Sequence, residues 1–358
     1  MMRGSTAILD SLQRVVTAMR RPLLTMLLAM SCALNARGQD VREEVHIEIQ
    51  ASHGIAVSGA LVALVDATGA TVAEGISREN GTRSFRAPAG TYRIHVLRIG
   101  FRPFLSDSFS IPATRQKTVV VESARVQLSA VLVSAKSRCT RIDDDTQVLS
   151  LLWDEITKAL RASQLTTSDL SGVTHSWIYR KEVNGRGLVL NADTTRIPIT
   201  NQKPFGAPDA AALARDGYAQ GDDVKGWTYS GPDETVLLSN EFQSTHCFRA
   251  IRDRSRPGQI AMAFEPVPGR QVADISGYVW VDQASSELRE ITFRFANAGL
   301  LSRFNAGGST RFRRMPSGAW LVDKWHLRGP RLVREGAGSD RILAAGYFEN
   351  GGGLLDGK

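Results

Sequence analysis

A chain of 358 residues, 42% hydrophobic and 22% charged, has the composition of a folded protein with room for about two domains, which excludes wholesale disorder. Its net charge of +8 invites a nucleic-acid partner until the charges are located. Three cysteines are too few for a small disulfide scaffold.

Residues 1–38 read as an export signal. Arg20-Arg21 precedes an apolar run from Pro22 to Leu34, and Ala36-Arg37-Gly38 is a small-x-small cleavage site. The run falls short of the roughly 20 apolar residues that span a bilayer. Met19 suits the true start, because Met19-Arg20-Arg21 would open a compact signal peptide; a buried or anchoring N-terminal helix is the alternative. Cys32, after Ala29-Met30-Ser31, is either a lipidated lipoprotein cysteine or part of a removed signal. Cleavage after Gly38 removes Arg3, Arg14, Arg20, Arg21, Arg37 and Asp10, halving the net charge to +4. The remainder is spread along a chain with no nucleic-acid motif. The expected location is beyond the inner membrane, in the periplasm or at the outer membrane, with no nucleic-acid partner.

Residues 41–134 predict an antiparallel β-sandwich. Val45–Ile49 and Thr91–Val96 alternate apolar with polar, Ala60–Val65 is continuously apolar, and Thr118–Val121 and Ala130–Val133 complete the set. Turn signals at Asp66–Gly69 and Pro88–Gly90 separate these runs. Gly59–Asp66, Gly69, Asn80-Gly81, Phe85, Pro88-Ala-Gly-Thr-Tyr92, Val96 and Ile99-Gly-Phe-Arg-Pro103 together resemble a carboxypeptidase regulatory-like domain over residues 43–123. That resemblance implies a transthyretin-like, Ig-like sandwich, as in the N-terminal extensions of TonB-dependent receptors. It implies core positions for Tyr92 and Phe101 and turn freedom at Gly90. It brings no peptidase activity, since the regulatory-like domain is the non-catalytic partner. Ser77-Arg78 and Arg83 depart from the family pattern around the Asn-Gly hairpin. The residues after the sandwich are too few in alternating strands to make a receptor barrel.

Residues 135–146 read as a polar linker, with Asp143–Asp145 a solvated carboxylate run lacking the spacing of a calcium loop. Residues 147–350 predict an α+β domain: a curved antiparallel sheet and one major helix. Leu149, Leu152, Trp153, Ile156 and Leu160 share a helical face over 148–160. Strands are expected at 177–179, 235–238, 259–264, 277–281, 288–295, 309–313 and 319–327, with hairpins at Asp282–Ser286 and Met315–Gly318. Ala306–Ser309 reads as a plain turn and 351–358 as a flexible tail. The region from Gly231 to Trp320 is similar to an uncharacterised group of bacterial envelope proteins carrying the same sandwich, and the Trp280-Val-Asp hairpin is reminiscent of half-barrel lipoprotein carriers. These likenesses imply location and no activity.

Cys139 and Cys247 are the cysteines left after signal removal, and in an oxidising envelope they either pair or stay as two buried thiols. His246 beside Cys247 is not a dyad, because neighbours in a strand face opposite ways. The other histidines are scattered without metal-ligand spacing, so no metal and no cofactor are expected. No nucleophile elbow or phosphate loop occurs, and no catalytic residue is assigned. Asp233, Glu241, Glu265 and Asp274 are weighed as solvated carboxylates against a glycosidase-like pair. Trp227, Tyr229, Arg252 and Arg254 are the possible ligand contacts: aromatics for stacking or core packing, arginines for acidic headgroups, polysaccharide or solvent. The expected protein is an exported, non-enzymatic envelope component binding an envelope protein or polysaccharide, with the outer membrane as one expected place of association. The alternative is a hydrolase with a carboxylate site in the second domain.

Overall fold

A computed structural model describes residues 42–123, 139, 147–166, 173–198, 206–222, 226–304, 306–315, 318, 320–336 and 341–356. The signal region, Cys32, the expected strand at 130–133 and the Asp143–Asp145 run lie outside these residues. The fold is mainly β. Residues Glu44–Lys358 form one compact unit.

The sandwich comprises β1 (Glu43–Ala51), β2 (Leu61–Asp66), β3 (Thr71–Ile76), β4 (Thr82–Ala87), β5 (Gly90–Leu97), β6 (Phe104–Leu105), β7 (Phe109–Ile111) and β8 (Gln116–Val121). One sheet has the order β4-β1-β8, with β1 and β8 parallel; the other runs β3-β2-β5-β6, with β7 also on β5. Ile47, Ile49, Val62, Leu64, Ile94 and Val119 fill the space between them. Each such side chain contributes about 1.5–3 kcal/mol on burial. The continuous apolar run in β2 has a physical cause. Val62 and Leu64 face the sandwich core, while Leu61 and Ala63 face a second core on the other side. A strand buried on both faces loses its alternation.

Two turn expectations are corrected. Asn80-Gly81 and Pro88–Gly90 each carry the chain from one sheet to the other, so neither is a hairpin within a sheet. Gly90 has no positive φ. A Cβ there would sit 3.2 Å from the Tyr92 hydroxyl, which donates to the Pro88 carbonyl at 2.9 Å. The small residue therefore makes room for a tyrosine.

After α1 (Gln147–Thr166) come β9 (Val173–Asn184), β10 (Val189–Pro198), α2 (Ala210–Asp216), β11 (Ala219–Asp222), β12 (Gly226–Tyr229), α3 (Glu234–Leu237), α4 (Asn240–Thr245), β13 (His246–Ile251) and β14 (Gln259–Pro266). There follow β15 (Asp274–Asp282), β16 (Leu288–Ala296), α5 (Gly299–Arg303), β17 (Gly307–Arg314), β18 (Trp320–Arg334) and β19 (Ile342–Asp356). Nine strands form one antiparallel sheet in the order β10-β9-β19-β18-β17-β16-β15-β14-β13. Leu149, Leu152, Ile156 and Leu160 give α1 one fully buried stripe. The helix contacts β2 and β3 of the sandwich as well as β13, β14, β16 and β18 of the large sheet, so one hydrophobic core joins all three.

A buried ion pair secures that junction. Glu155 and Lys158, three residues apart on α1, meet at 2.7 Å with side chains 1% and 7% exposed. Glu155 also accepts the Gly100 amide at 3.0 Å, and Lys158 donates to the Phe101 carbonyl at 3.1 Å. Nearby, Gly59 and Gly318 back onto each other with positive φ; a Cβ on Gly59 would lie 2.2 Å from the Gly318 carbonyl oxygen.

Three expectations for this region are corrected. Residues 235–238 are not a strand: Glu234–Leu237 is a short helix, because Asp233 caps it by accepting the Val236 amide at 2.9 Å. Four residues, three of them apolar, are too few for periodicity to separate the two. Gly307 and Gly308 are not a turn; they open β17, where a Cβ on either would meet the backbone of Phe293 or His326. Residues 351–356 are not a tail but the end of β19: 351–353 pair with β18 on one side, and the whole stretch pairs with β9 on the other.

Candidate functional site

Pairing registers place three rows of side chains across the face of the large sheet opposite the shared core. The first row runs Arg249, Ala263, Tyr278, Thr292, Ser309, His326, Gly351, Tyr179 and Thr194. The second runs Ser276, Arg294, Gly307, Arg328, Glu349, Lys181 and Ala192. The third runs Ala261, Trp280, Glu290, Arg311, Lys324, Gly353, Trp177 and Arg196. Corresponding residues differ by two along every strand, which is the condition for sharing a face. None of these positions holds Leu, Ile, Val, Phe or Met. They hold seven lysines and arginines, two glutamates, and two each of tyrosine and tryptophan.

Two buried carboxylates organise this face. Glu349, with a side chain 5% exposed, accepts from the Tyr179 hydroxyl at 2.7 Å and from Arg328 Nε and Nη2 at 3.0 and 2.8 Å, and pairs with Lys181 at 2.6 Å. Burial pushes its pKa up, but hydrogen bonds from Lys181, Tyr179 and Arg328 outweigh that and hold it at about 2. Burial and the same bond push the Tyr179 phenol above its ordinary range. Glu290 pairs with Arg256 at 2.8 Å and Arg311 at 3.2 Å. The Arg256 guanidinium also lies 4.5 Å from the centre of the Trp280 ring.

Aromatic rings are fixed among these charges. Trp177 and Tyr179 stack with centroids 5.4 Å apart, the Lys181 ammonium sits 5.2 Å from the Tyr179 ring, and Arg328 lies 4.2 Å from the Tyr347 ring. Ser309 Oγ is 3.1 Å from His326 Nδ1. Burial lowers the His326 pKa, with Glu349 opposing that shift. Toward β13 a pocket of about 290 Å³ opens between the first two rows, lined by Arg249, Glu265, Ser276, Tyr278, Thr292 and Arg294. Arg249 and Glu265 approach to 3.6 Å at its rim. Among the described residues, no group of three or more His, Cys, Asp or Glu is arranged to hold a metal ion.

Cys139 and Cys247 form a disulfide with Cα atoms 4.8 Å apart, tying the segment upstream of α1 to the edge strand β13. His246 and Cys247 face opposite ways, as the strand rule requires. His246 is fully buried against the Phe242 ring, and its nitrogens contact the Phe242 carbonyl at 3.0 Å and the Ile275 carbonyl at 3.2 Å. Asp274, weighed above as a solvated carboxylate, is instead fully buried, 3.3 Å from His246 and bonded to Arg270. Burial raises the Asp274 pKa, but its bonds to His246, Arg270 and the Ile275 amide outweigh that and lower it. Asp233 and Glu234 are also buried, and Asp233 serves as the cap of α3.

Trp227 and Tyr229 lie on β12 and pack against the shared core; Tyr229 meets Phe295 edge-on at 5.5 Å. Arg252 and Arg254 are exposed in the loop between β13 and β14. The polar rows were not visible in the sequence, because each row takes one residue from each strand and the order follows pairing rather than chain position. The signal available was the alternation in 276–282 and 290–294, where every second residue is polar or Tyr/Trp.

No family model matches the chain, and no curated protein matches it. Among solved structures, it is similar at a TM-score of 0.20 and 13% identity to fervidolysin from Fervidobacterium pennivorans, a keratinolytic enzyme related to subtilisin, over 73% of this chain and 30% of that one. It is similar at 0.24 and 12% to a DUF1329 family protein from Desulfovibrio piger, over 56% and 89%. A third is BcpA, the major pilin subunit of Bacillus cereus, at 0.21 and 8%, over 86% and 95%. The chain spans under a third of the length of fervidolysin. Likenesses at these scores carry no argument about activity or partner.

Proposed function

We propose that this is an exported, non-enzymatic binding protein of a bacterial cell envelope, which takes an extended acidic polysaccharide on the polar face of its nine-stranded sheet. The regulatory-like sandwich serves as a second interaction module beside it. The observation that carries the reading is the ladder of Trp177, Tyr179, Lys181 and Arg328 around buried Glu349. Tyrosine and tryptophan rings offer flat apolar surfaces with polar edges, which suit stacking on sugar rings. Fixed arginines suit carboxylate groups. The missing aliphatic side chains disfavour an acyl chain as the ligand. Titration of the purified protein with alginate, a uronic-acid polysaccharide, tests this. Saturable binding should weaken tenfold or more in the Trp177→Ala/Tyr179→Ala double variant. Wild-type binding that the variant retains in full would overturn the reading.

The Ser309–His326 contact favours one rival, a hydrolase, since a serine hydroxyl on an imidazole nitrogen is the first requirement of nucleophilic ester cleavage. Turnover of an aryl ester abolished by Ser309→Ala would establish that rival.

A further inference from the structure

The junction between sandwich, helix and sheet encloses a pocket of about 120 Å³, room for about four water molecules. Three cations, one from each part, and one carboxylate, Glu287, line it: the cations are Arg98 from just beyond β5, Lys158 from α1 and Arg314 from the end of β17. Their local partners leave positive charge in excess. Lys158 is matched by Glu155. Arg314 reaches Glu287 only at 3.7 Å, and Glu287 is shared with Arg289 at 3.2 Å. Arg98 donates Nε to the Ser58 carbonyl at 2.7 Å and covers the Phe101 ring, but has no carboxylate within ion-pair distance among the described residues. A half-buried guanidinium without a counter-ion is costly, and a bidentate oxyanion is the group its geometry suits.

We propose that this pocket binds a compact tetrahedral oxyanion, phosphate or sulfate, held by Arg98 and Arg314 with Lys158 at its base. The electrostatics agree with the geometry. Burial, and then the neighbouring Arg314, push the Arg98 pKa down to about 10 against the opposing pull of Glu287, so an added anion would relieve the site. Because Arg98, Lys158 and Arg314 come from three different parts of the fold, the bound anion would act as a fastener between them. The site is separate from the sheet face, and it stands or falls independently of the polysaccharide reading.

Calorimetric titration with inorganic phosphate at constant ionic strength tests the proposal, with sulfate and glucose 6-phosphate in parallel. Saturable binding is expected, weakened at least tenfold in Arg98→Gln and in Arg314→Gln, and unchanged in Arg186→Gln, which removes an exposed cation in the turn between β9 and β10. Circular dichroism identifies any variant that fails to fold, and Arg314→Gln leaves Glu287 with Arg289. Tighter binding of glucose 6-phosphate than of phosphate would assign the anion to a phosphorylated sugar; the reverse would assign it to the free ion. No saturable binding by the wild type, or equal affinity in all variants, would overturn the proposal.

Discussion

The two faces of the nine-stranded sheet are built on opposite principles. On the inner face Phe264, Ile275, Val279, Ile291 and Phe293 pack against α1 and its neighbours, and the Asp274 carboxylate beside them is fully buried. On the outer face, charges and rings hold one another, and the carboxylates of Glu349 and Glu290 are hidden beneath their own partners rather than beneath hydrophobic side chains. The difference teaches that burial here has two meanings. Inside, it comes from exclusion of water by apolar contact. Outside, it comes from salt bridges dense enough to shield their own centres, a pattern associated with order of side chains more than with net stability.

Substitutions on each face sharpen that contrast. The largest loss is expected from Phe264→Ala, which opens a cavity between the Phe242 and His246 rings. Denaturant unfolding should show a loss of about 3–5 kcal/mol, independent of pH. Glu349→Gln should come next and should depend on pH. The carboxyl has a folded pKa of about 2 against an ordinary 4.5, so its stabilisation is complete above 4.5 and fades as the pH falls through 2. The difference between wild type and variant should be on the order of 3 kcal/mol at pH 7 and near zero at pH 2. A difference that does not shrink with acid would show that the network acts by shape alone. Lys324→Ala, exposed in the third row, should change stability by no more than about 0.5 kcal/mol.

What the sequence disclosed follows the reach of each signal. Local periodicity exposed α1 and most strands, because a 3.6-residue or two-residue repeat needs only a short window. The Cys139–Cys247 bridge was legible from arithmetic alone, two thiols being left in an expected oxidising setting. Three kinds of feature escaped. Asp233 turned Thr235–Leu238, expected as a strand, into part of a capped helix. The glycines of 351–353 made a central strand look like a tail, although close packing against Trp177, Trp325 and Tyr179 is what requires them to be small. The candidate site escaped most completely. Arg328, Glu349 and Lys181 are neighbours only because β19 inserts between β18 and β9, which no local pattern announces.

That insertion has a consequence for how the chain assembles. The β9–β10 hairpin is made before the rest of the large sheet, yet among the described residues it joins that sheet through β19 alone, the last strand described. Pairing across so long a sequence separation is slow, because loop-closure entropy is spent before contacts repay it. Until β19 arrives, β9 and β18 each expose an unsatisfied edge, which is the condition that invites pairing between chains. In a chain made from its N-terminus, the sheet would close only when β19 emerges, leaving the open edges to be guarded until then.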